Sequence, residues 1–321
     1  MDRKKIALRL GQSLVLFIIA YYLIYRNLVL NWHRLGEVDW HVQWFPFSAS
    51  LIGISLIYTA NTQIWRLVFR SLSHTDIPFW RSAYIWFISN LGRYLPGKVW
   101  QIAGMAAMAR AEGAPAAAAA TASVVGFVVS LIAGAAVGLV CFPVSAAGKY
   151  ATYLAWAWIG LPVVLAFLHP ALLNRLFGLA ARISGKPISI GLYSQRDLLL
   201  WFTLNVLVWL VYGLCFHYFI LSIVPDAGLA LSDSVGIYAI GYIIGFLVVF
   251  APGGIGVREA MFTGLLAASL GEVTATVVAL ISRLWLTLAE LVPVVILIGV
   301  GGMPGKSKGR AESSEESEDG R

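Results

Sequence analysis

Asn90-Leu91-Gly92-Arg93-Tyr94-Leu95-Pro96-Gly97-Lys98-Val99-Trp100-Gln101 interrupts an apolar region that otherwise runs from Trp80 to Ala109. Ala251-Pro252-Gly253-Gly254-Ile255-Gly256-Val257-Arg258-Glu259-Ala260 does the same to a region from Val235 to Leu270. Proline has no amide donor and glycine tolerates angles other residues avoid, so a helix stops at both places. The flanking halves hold about 12 to 17 residues, which at about 1.5 Å per residue reach part-way or barely across a bilayer. Backbone broken at membrane depth is tolerated only where protein buries it or a polar cavity receives it. The two stretches therefore predict two broken-helix hairpins, over about 80–110 and about 235–271.

The composition around them predicts a membrane setting. Of 321 residues, 59% are hydrophobic and only 12% charged, about half the charge of an ordinary soluble domain. That excludes a water-soluble globular protein and a disordered one. Apolar runs long enough to span a hydrocarbon core of about 30 Å occupy 14–30, 47–69, 116–143, 150–168, 198–224 and 274–300. The first follows Arg3, Lys4, Lys5 and Arg9 and reads as a retained anchor, since no small-residue cleavage site follows it. The net charge of +7 does not indicate nucleic acid, because most basic residues sit in short connections between apolar runs.

Those connections set the orientation. With both broken regions as re-entrant hairpins there are six full spans. One face then carries fifteen basic residues, in 3–9, 66–81, 175–196 and 306–321, against Arg26, Arg34 and Lys149 on the other. Making the first broken region a full span instead would put the basic connection 175–196 outside. The positive-inside rule prefers the hairpin reading and places both termini in the cytoplasm. The expected fold is an all-α polytopic membrane protein of six transmembrane helices and two oppositely oriented re-entrant hairpins forming an inverted repeat, an arrangement that marks the binding site of many transporters. Residues 1–302 form one transmembrane domain, and the acidic, Ser-rich 303–321 a disordered cytoplasmic tail.

Six ionisable residues fall at membrane depth: Arg93, Lys98, Arg258, Glu259, Arg283 and Glu290. Each charge at a helix centre costs about 2.5 to 3.5 kcal/mol, so they must pair or face a polar cavity. Arg283 and Glu290 lie two turns apart on one helix face. Arg258 with Glu259, and Arg283 with Glu290, are the pairs that chain proximity offers. Four positive charges against two negative leave a surplus suited to an anion, and helix N-termini after Pro96 and Pro252 would add N–H groups. His217 reads as a hydrogen-bonded core residue. Cys141 and Cys215 have no metal-ligand spacing, and no metal site, phosphate loop or nucleophile motif is found. Gly253-Gly254-Ile255-Gly256 follows a helix and lacks a strand, so it is no dinucleotide fingerprint.

Together, in this order and separation, the two interrupted stretches resemble the lysylphosphatidylglycerol synthase transmembrane family, also called flippase-like, over about residues 10–300. The resemblance implies a membrane domain that binds or moves lipids. The bifunctional members carry a large soluble aminoacyl-transferase domain after the membrane half, whereas about twenty polar residues follow Gly301 here. No synthase activity is therefore expected, and no catalytic residue or cofactor is assigned.

The resulting expectation is a translocator in the inner or plasma membrane, moving an anionic phospholipid or lipid-linked intermediate through a positively charged midplane cavity. Its binding residues are Arg93, Tyr94, Lys98, Trp100, Gln101, Arg258, Glu259, Arg283 and Glu290. Its broken backbone is set by Pro96, Gly97, Pro252, Gly253, Gly254 and Gly256. Its partner is a membrane lipid, with a lipid-modifying enzyme or glycosyltransferase as a further one. The rival readings are a membrane-embedded transferase on lipid-linked sugars, with Glu259 or Glu290 as base, and an accessory scaffold for a separate glycosyltransferase.

Overall fold

The computed structural model describes residues 42–94, 99–142, 193–248, 252–254 and 256–300, with isolated positions between 152 and 175. The expected spans at 14–30 and nearly all of 150–168, the tail 303–321, and Pro96, Gly97 and Lys98 lie outside the described residues. The described residues are helical throughout, without strands: α1 Trp44–Ser73, α2 Phe79–Asn90, α3 Val99–Ala111, α4 Ala116–Val140, α5 Gln195–Ile223, α6 Leu231–Leu247, α7 Val257–Leu270 and α8 Glu272–Val300. Short 3-10 turns, Leu91–Tyr94 and Pro252–Gly254, stand at the two interruptions.

Among the described residues three helices are long and apolar enough to cross a membrane: α4, α5 and Glu272–Leu297 of α8. The run expected at 47–69 lies within α1, which has 30 residues but falls short on composition. Ser50, Ser55, Thr59, Asn61, Thr62 and Gln63 dilute its apolar character. Much of that polarity is satisfied inside the protein. Trp285 Nε1 donates to Ser50 Oγ (3.1 Å) and Asn61 Nδ2 to the Tyr212 hydroxyl (2.7 Å).

Each interruption joins two helices that lie antiparallel on one another. In the first, Arg81 pairs with Glu112 at 2.6 Å. Further in, a Cβ on Gly104 would stand 3.1 Å from Ser89 Oγ, and one on Gly92 2.9 Å from the Gln101 amide nitrogen. As α2 numbers rise, their α3 partners fall in step, which is the register of a hairpin. In the second, a Cβ on Gly241 would meet Phe262 at 2.4 Å and one on Gly245 would meet Arg258 at 3.0 Å. Gly241 and Gly245, four apart, form the small-residue seam that lets one apolar helix close on another, where packing rather than the hydrophobic effect holds helices together.

The order long helix, broken pair, long helix occurs twice: α1, α2–α3, α4, then α5, α6–α7, α8. The two leading helices are antiparallel. Gln43 N–H donates to Ser222 O (2.8 Å) at one end of α1, and Asn61 meets Tyr212 further along. The contacts nearly repeat when the halves are exchanged: α4 packs on α5 and α6, α8 packs on α1 and α2, and the two 3-10 turns touch each other. Where α1 and α5 meet α8, Phe219 stacks on Trp285 with ring centroids 4.8 Å apart, and both rings are fully buried.

Pro293 lies inside α8. It cannot donate to Ala289 O one turn back. Ser55 Oγ, which also bonds Leu51 O at 2.8 Å, approaches that carbonyl to 3.2 Å.

Candidate functional site

The second tip is built on left-handed glycine. Gly253, Gly254 and Gly256 have φ of 58°, 69° and 83°. At Gly254 a side chain is doubly excluded, since its Cβ would also stand 2.8 Å from Gly245 O. The chain leaves this turn into α7 with Glu259 in its first turn, and Glu259 Oε2 accepts the Gly256 N–H at 2.6 Å. A carboxylate there satisfies a free donor and complements the positive helix end. The other carboxylate oxygen accepts from Arg283 Nε of α8, and Arg283 Nη1 donates to Gly253 O at 2.9 Å. One arginine thus ties both sides of the broken backbone to a spanning helix.

The first tip is tied to the same helix. Arg93 forms an ion pair with Glu290, and Tyr58 of α1 donates to the same carboxylate oxygen at 3.1 Å. Beside it, Gln101 Nε2 donates to Asn90 Oδ1. The pairs are therefore Arg93–Glu290 and Arg283–Glu259. Neither of the two pairs that proximity in the chain offered is among these ion pairs of the described residues. Arg283 and Glu290 do share one face of α8, but each reaches a different hairpin.

Arg258 stands apart. It is 8% exposed, yet no carboxylate among the described residues lies within ion-pair distance. Its guanidinium carbon lies 5.4 Å from the Tyr242 ring centroid, a cation–π contact. Its Nε is buried without a hydrogen-bond partner.

These groups meet at a cavity of about 260 Å³ lined by Arg93, Gln101, Tyr242, Arg258, Arg283 and Glu290, with Gly253 and Gly254 at the tip. Its remaining wall is apolar: Ile102 of α3 and Val124, Phe127, Val128 and Leu131 along one stripe of α4. Val124 and Val128 are each 38% exposed at the protein surface. The cavity thus has a cationic floor and an apolar lip. A second cavity of about 120 Å³ shares Arg93, Gln101, Phe127, Leu131, Tyr242 and Phe246 with it and continues toward α1 and α5.

Residues 9–293 match the family described as the lysylphosphatidylglycerol synthase TM region. The chain belongs to that family. It is thereby a membrane-embedded protein of a lipid-related family, in keeping with its apolar helices. No curated protein matches the chain at a significant level.

In this lysylphosphatidylglycerol synthase TM-region protein, Arg93, Gln101, Arg258, Arg283, Glu290, Gly253 and Gly254 line one cavity, and Glu259 supports it from behind Arg283. Trp100 is 54% exposed and stands outside that lining. Tyr94 closes the first 3-10 turn, and Pro252 opens the second. His217 meets Ser234 Oγ at 2.9 Å and takes no part in the site. Sequence reasoning missed Tyr58, Asn90 and Tyr242. Tyr242 had a legible signal, because it sits inside Gly241-Tyr242-Ile243-Ile244-Gly245 and so beside the helix seam.

Proposed function

We propose that this protein translocates an anionic phospholipid or lipid-linked intermediate between membrane leaflets, with the phosphate held by Arg258, Arg93 and Arg283 and the acyl chains leaving over the α4 lip. The observation that carries this reading is the two-sided cavity. A lipid is a charged group joined to an apolar one, and here a buried arginine without a carboxylate partner among the described residues faces a surface-exposed valine stripe across one space. Arginine offers a planar fork matched to phosphate oxygens, and a desolvated site strengthens that bond. Lys98, beside the first tip in sequence, would add a further positive charge.

The frame belongs to the same proposal. Residues 1–302 form one transmembrane domain of six spans with two re-entrant hairpins of opposite orientation, in the inner or plasma membrane, with both termini and the tail 303–321 in the cytoplasm. The antiparallel α1 and α5 and the exchangeable contact pattern support an inverted repeat, which in transporters brings two broken helices to a midplane site. No nucleotide-binding motif is present in the sequence, so movement follows a gradient or proceeds passively. Glu259 and Glu290 balance the arginines.

The experiment is reconstitution into vesicles with a fluorescent phosphatidylglycerol and a membrane-impermeant quencher. Protein-containing vesicles should lose about all of the fluorescence, against about half in protein-free vesicles, the share of one leaflet. Equal loss in both would refute translocation. Topology is read separately by cysteine labelling of intact cells at Ser184 and Ser307. External labelling at either position would refute the orientation.

A further inference from the structure

The second cavity differs in chemistry from the first. Among the described residues Arg93 is the only charged side chain in its wall, and no carboxylate lines it. Its polar atoms belong instead to amides and hydroxyls drawn from five helices: Asn61 on α1, Asn90 on α2, Gln101 on α3, Ser123 and Ser130 on α4 and Asn205 on α5. Aromatic rings fill the spaces between them, among them Tyr58, Trp86, Tyr212 and Tyr242.

Several of these amides are only half used. Asn90 is 9% exposed, and its Nδ2 has no hydrogen-bond partner. The Asn90–Gln101 bond engages one polar atom of each amide. Turning both amides over exchanges the roles and still leaves one atom on each side without a protein partner among the described residues. Asn205, 2% exposed, gives Nδ2 to Trp201 O at 2.8 Å. Asn61 gives Nδ2 to Ile57 O at 3.0 Å and to the Tyr212 hydroxyl at 2.7 Å. The carbonyl oxygens of Asn61 and Asn205 form no hydrogen bond with the described residues. A buried donor such as Asn90 Nδ2 is costly unless something bonds it.

Open donors and acceptors in alternation match a hydroxyl, which is both. A cation is the less suited occupant, because among the described residues no carboxylate lines this cavity to neutralise it. An anion has its place in the first cavity. An alkyl group would leave the amides unsatisfied. Ring faces carry negative potential and so accept the C–H edges of a sugar or glycerol.

Resting on the phosphate reading above, we infer that the second cavity receives the part of the head group beyond the phosphate, and that it selects an uncharged polyol there. Arg93, common to both cavities, marks the junction between phosphate and polyol. The substrate class is then a phosphodiester lipid with a glycerol, cyclitol or sugar head group, not an aminoacylated one.

The test uses purified full-length chain stripped of lipid, titrated with phosphatidic acid, phosphatidylglycerol, phosphatidylinositol and lysyl-phosphatidylglycerol of matched acyl chains, and read by native mass spectrometry. The two polyol lipids should bind about tenfold or more tighter than phosphatidic acid, the effect of one or two buried hydrogen bonds. The lysyl lipid should bind no tighter than phosphatidic acid. Asn61→Ala with Asn205→Ala should reduce the polyol preference to under about twofold and leave phosphatidic acid binding unchanged. Tyr212→Phe, which keeps the ring and its packing, should reduce it in the same direction if the double variant fails to fold. Arg258→Gln should weaken all four lipids alike. Equal binding of phosphatidic acid and the polyol lipids, or tightest binding of the lysyl lipid, would overturn the polyol inference and leave the phosphate site standing. If none of the four binds, the phosphate reading falls and this inference with it.

Discussion

The two broken-helix pairs share an element order but are fastened differently. In Leu231–Leu270 the arms close on Gly241 and Gly245, the tip runs through three left-handed glycines, and Glu259 and Arg283 lock it with bonds to Gly256 N–H and Gly253 O. Glu259 and Arg283 keep only 10% and 9% side-chain exposure. In Phe79–Ala111 the arms also approach on glycines, Gly92 against the Gln101 backbone near the tip and Gly104 against Ser89 further out. The Arg93–Glu290 pair at its tip is wetter, at 19% and 14%. The surroundings differ as well. The space between α4, α6 and the second tip holds the cavity of about 260 Å³. Its counterpart between α8, α2 and the first tip holds about 10 Å³ beside Arg93 and Glu290. A near-exchangeable set of helices is thus open on one side and filled on the other. Among the described residues the second pair is thus the drier, open half of the site and the first the wetter, more closely packed one.

Breaking the second lock should have the largest effect. Glu259→Gln removes the charge facing Arg283 and one of the two acceptor oxygens shared between Arg283 and Gly256 N–H, and removing one member of a buried pair costs about 3 to 5 kcal/mol. Thermal unfolding in detergent should show the largest drop in midpoint for this variant, with partial recovery in Glu259→Gln with Arg283→Gln. Next comes Gly254→Ala, whose φ of 69° and 2.8 Å approach to Gly245 O leave no room for a methyl group. Strain of this kind costs about 1 to 3 kcal/mol, and the midpoint should fall accordingly. Glu290→Gln should do less, about 1 to 2 kcal/mol, because an amide still accepts from Arg93 and Tyr58 at a partly wetted position. Gly104→Ala should be the mildest, under about 1 kcal/mol, since its Cβ meets a serine side chain at 3.1 Å that can turn away. A Glu290→Gln loss equal to that of Glu259→Gln would mean that the difference in burial between the two ion pairs carries no energetic weight.

The sequence exposed the backbone of this site better than its pairing. Proline and glycine act locally, so both interruptions and the helices beside them were legible from the residues themselves. The two-turn spacing of Arg283 and Glu290 was legible for the same reason. Their partners were not. Glu259 and Arg283 are 24 residues apart, and Arg93 and Glu290 come from opposite ends of the chain, so only packing could bring them together. Nearness in the chain favoured Arg258 with Glu259. The capping position of Glu259 turns its carboxylate toward Gly256 and Arg283, while Arg258 lies over Tyr242. The second cavity was legible only through Arg93 and Gln101, because Asn61, Asn90 and Asn205 sit singly in different helices and converge only in the fold. The polar content of α1 was visible, but read along the chain it only dilutes an apolar run; folded, it faces the cavity and its neighbours.

Arg258→Gln tests the central claim most directly. Because Glu259 bonds Arg283 instead, this change leaves Glu259 with its partner, and the variant should unfold within a few degrees of the parent protein. In vesicles with equal amounts of folded protein, its movement of fluorescent phosphatidylglycerol should fall by about tenfold or more, the loss of one charge-assisted contact to phosphate. Folded Arg258→Gln protein that moves the lipid at the parent rate would contradict the account.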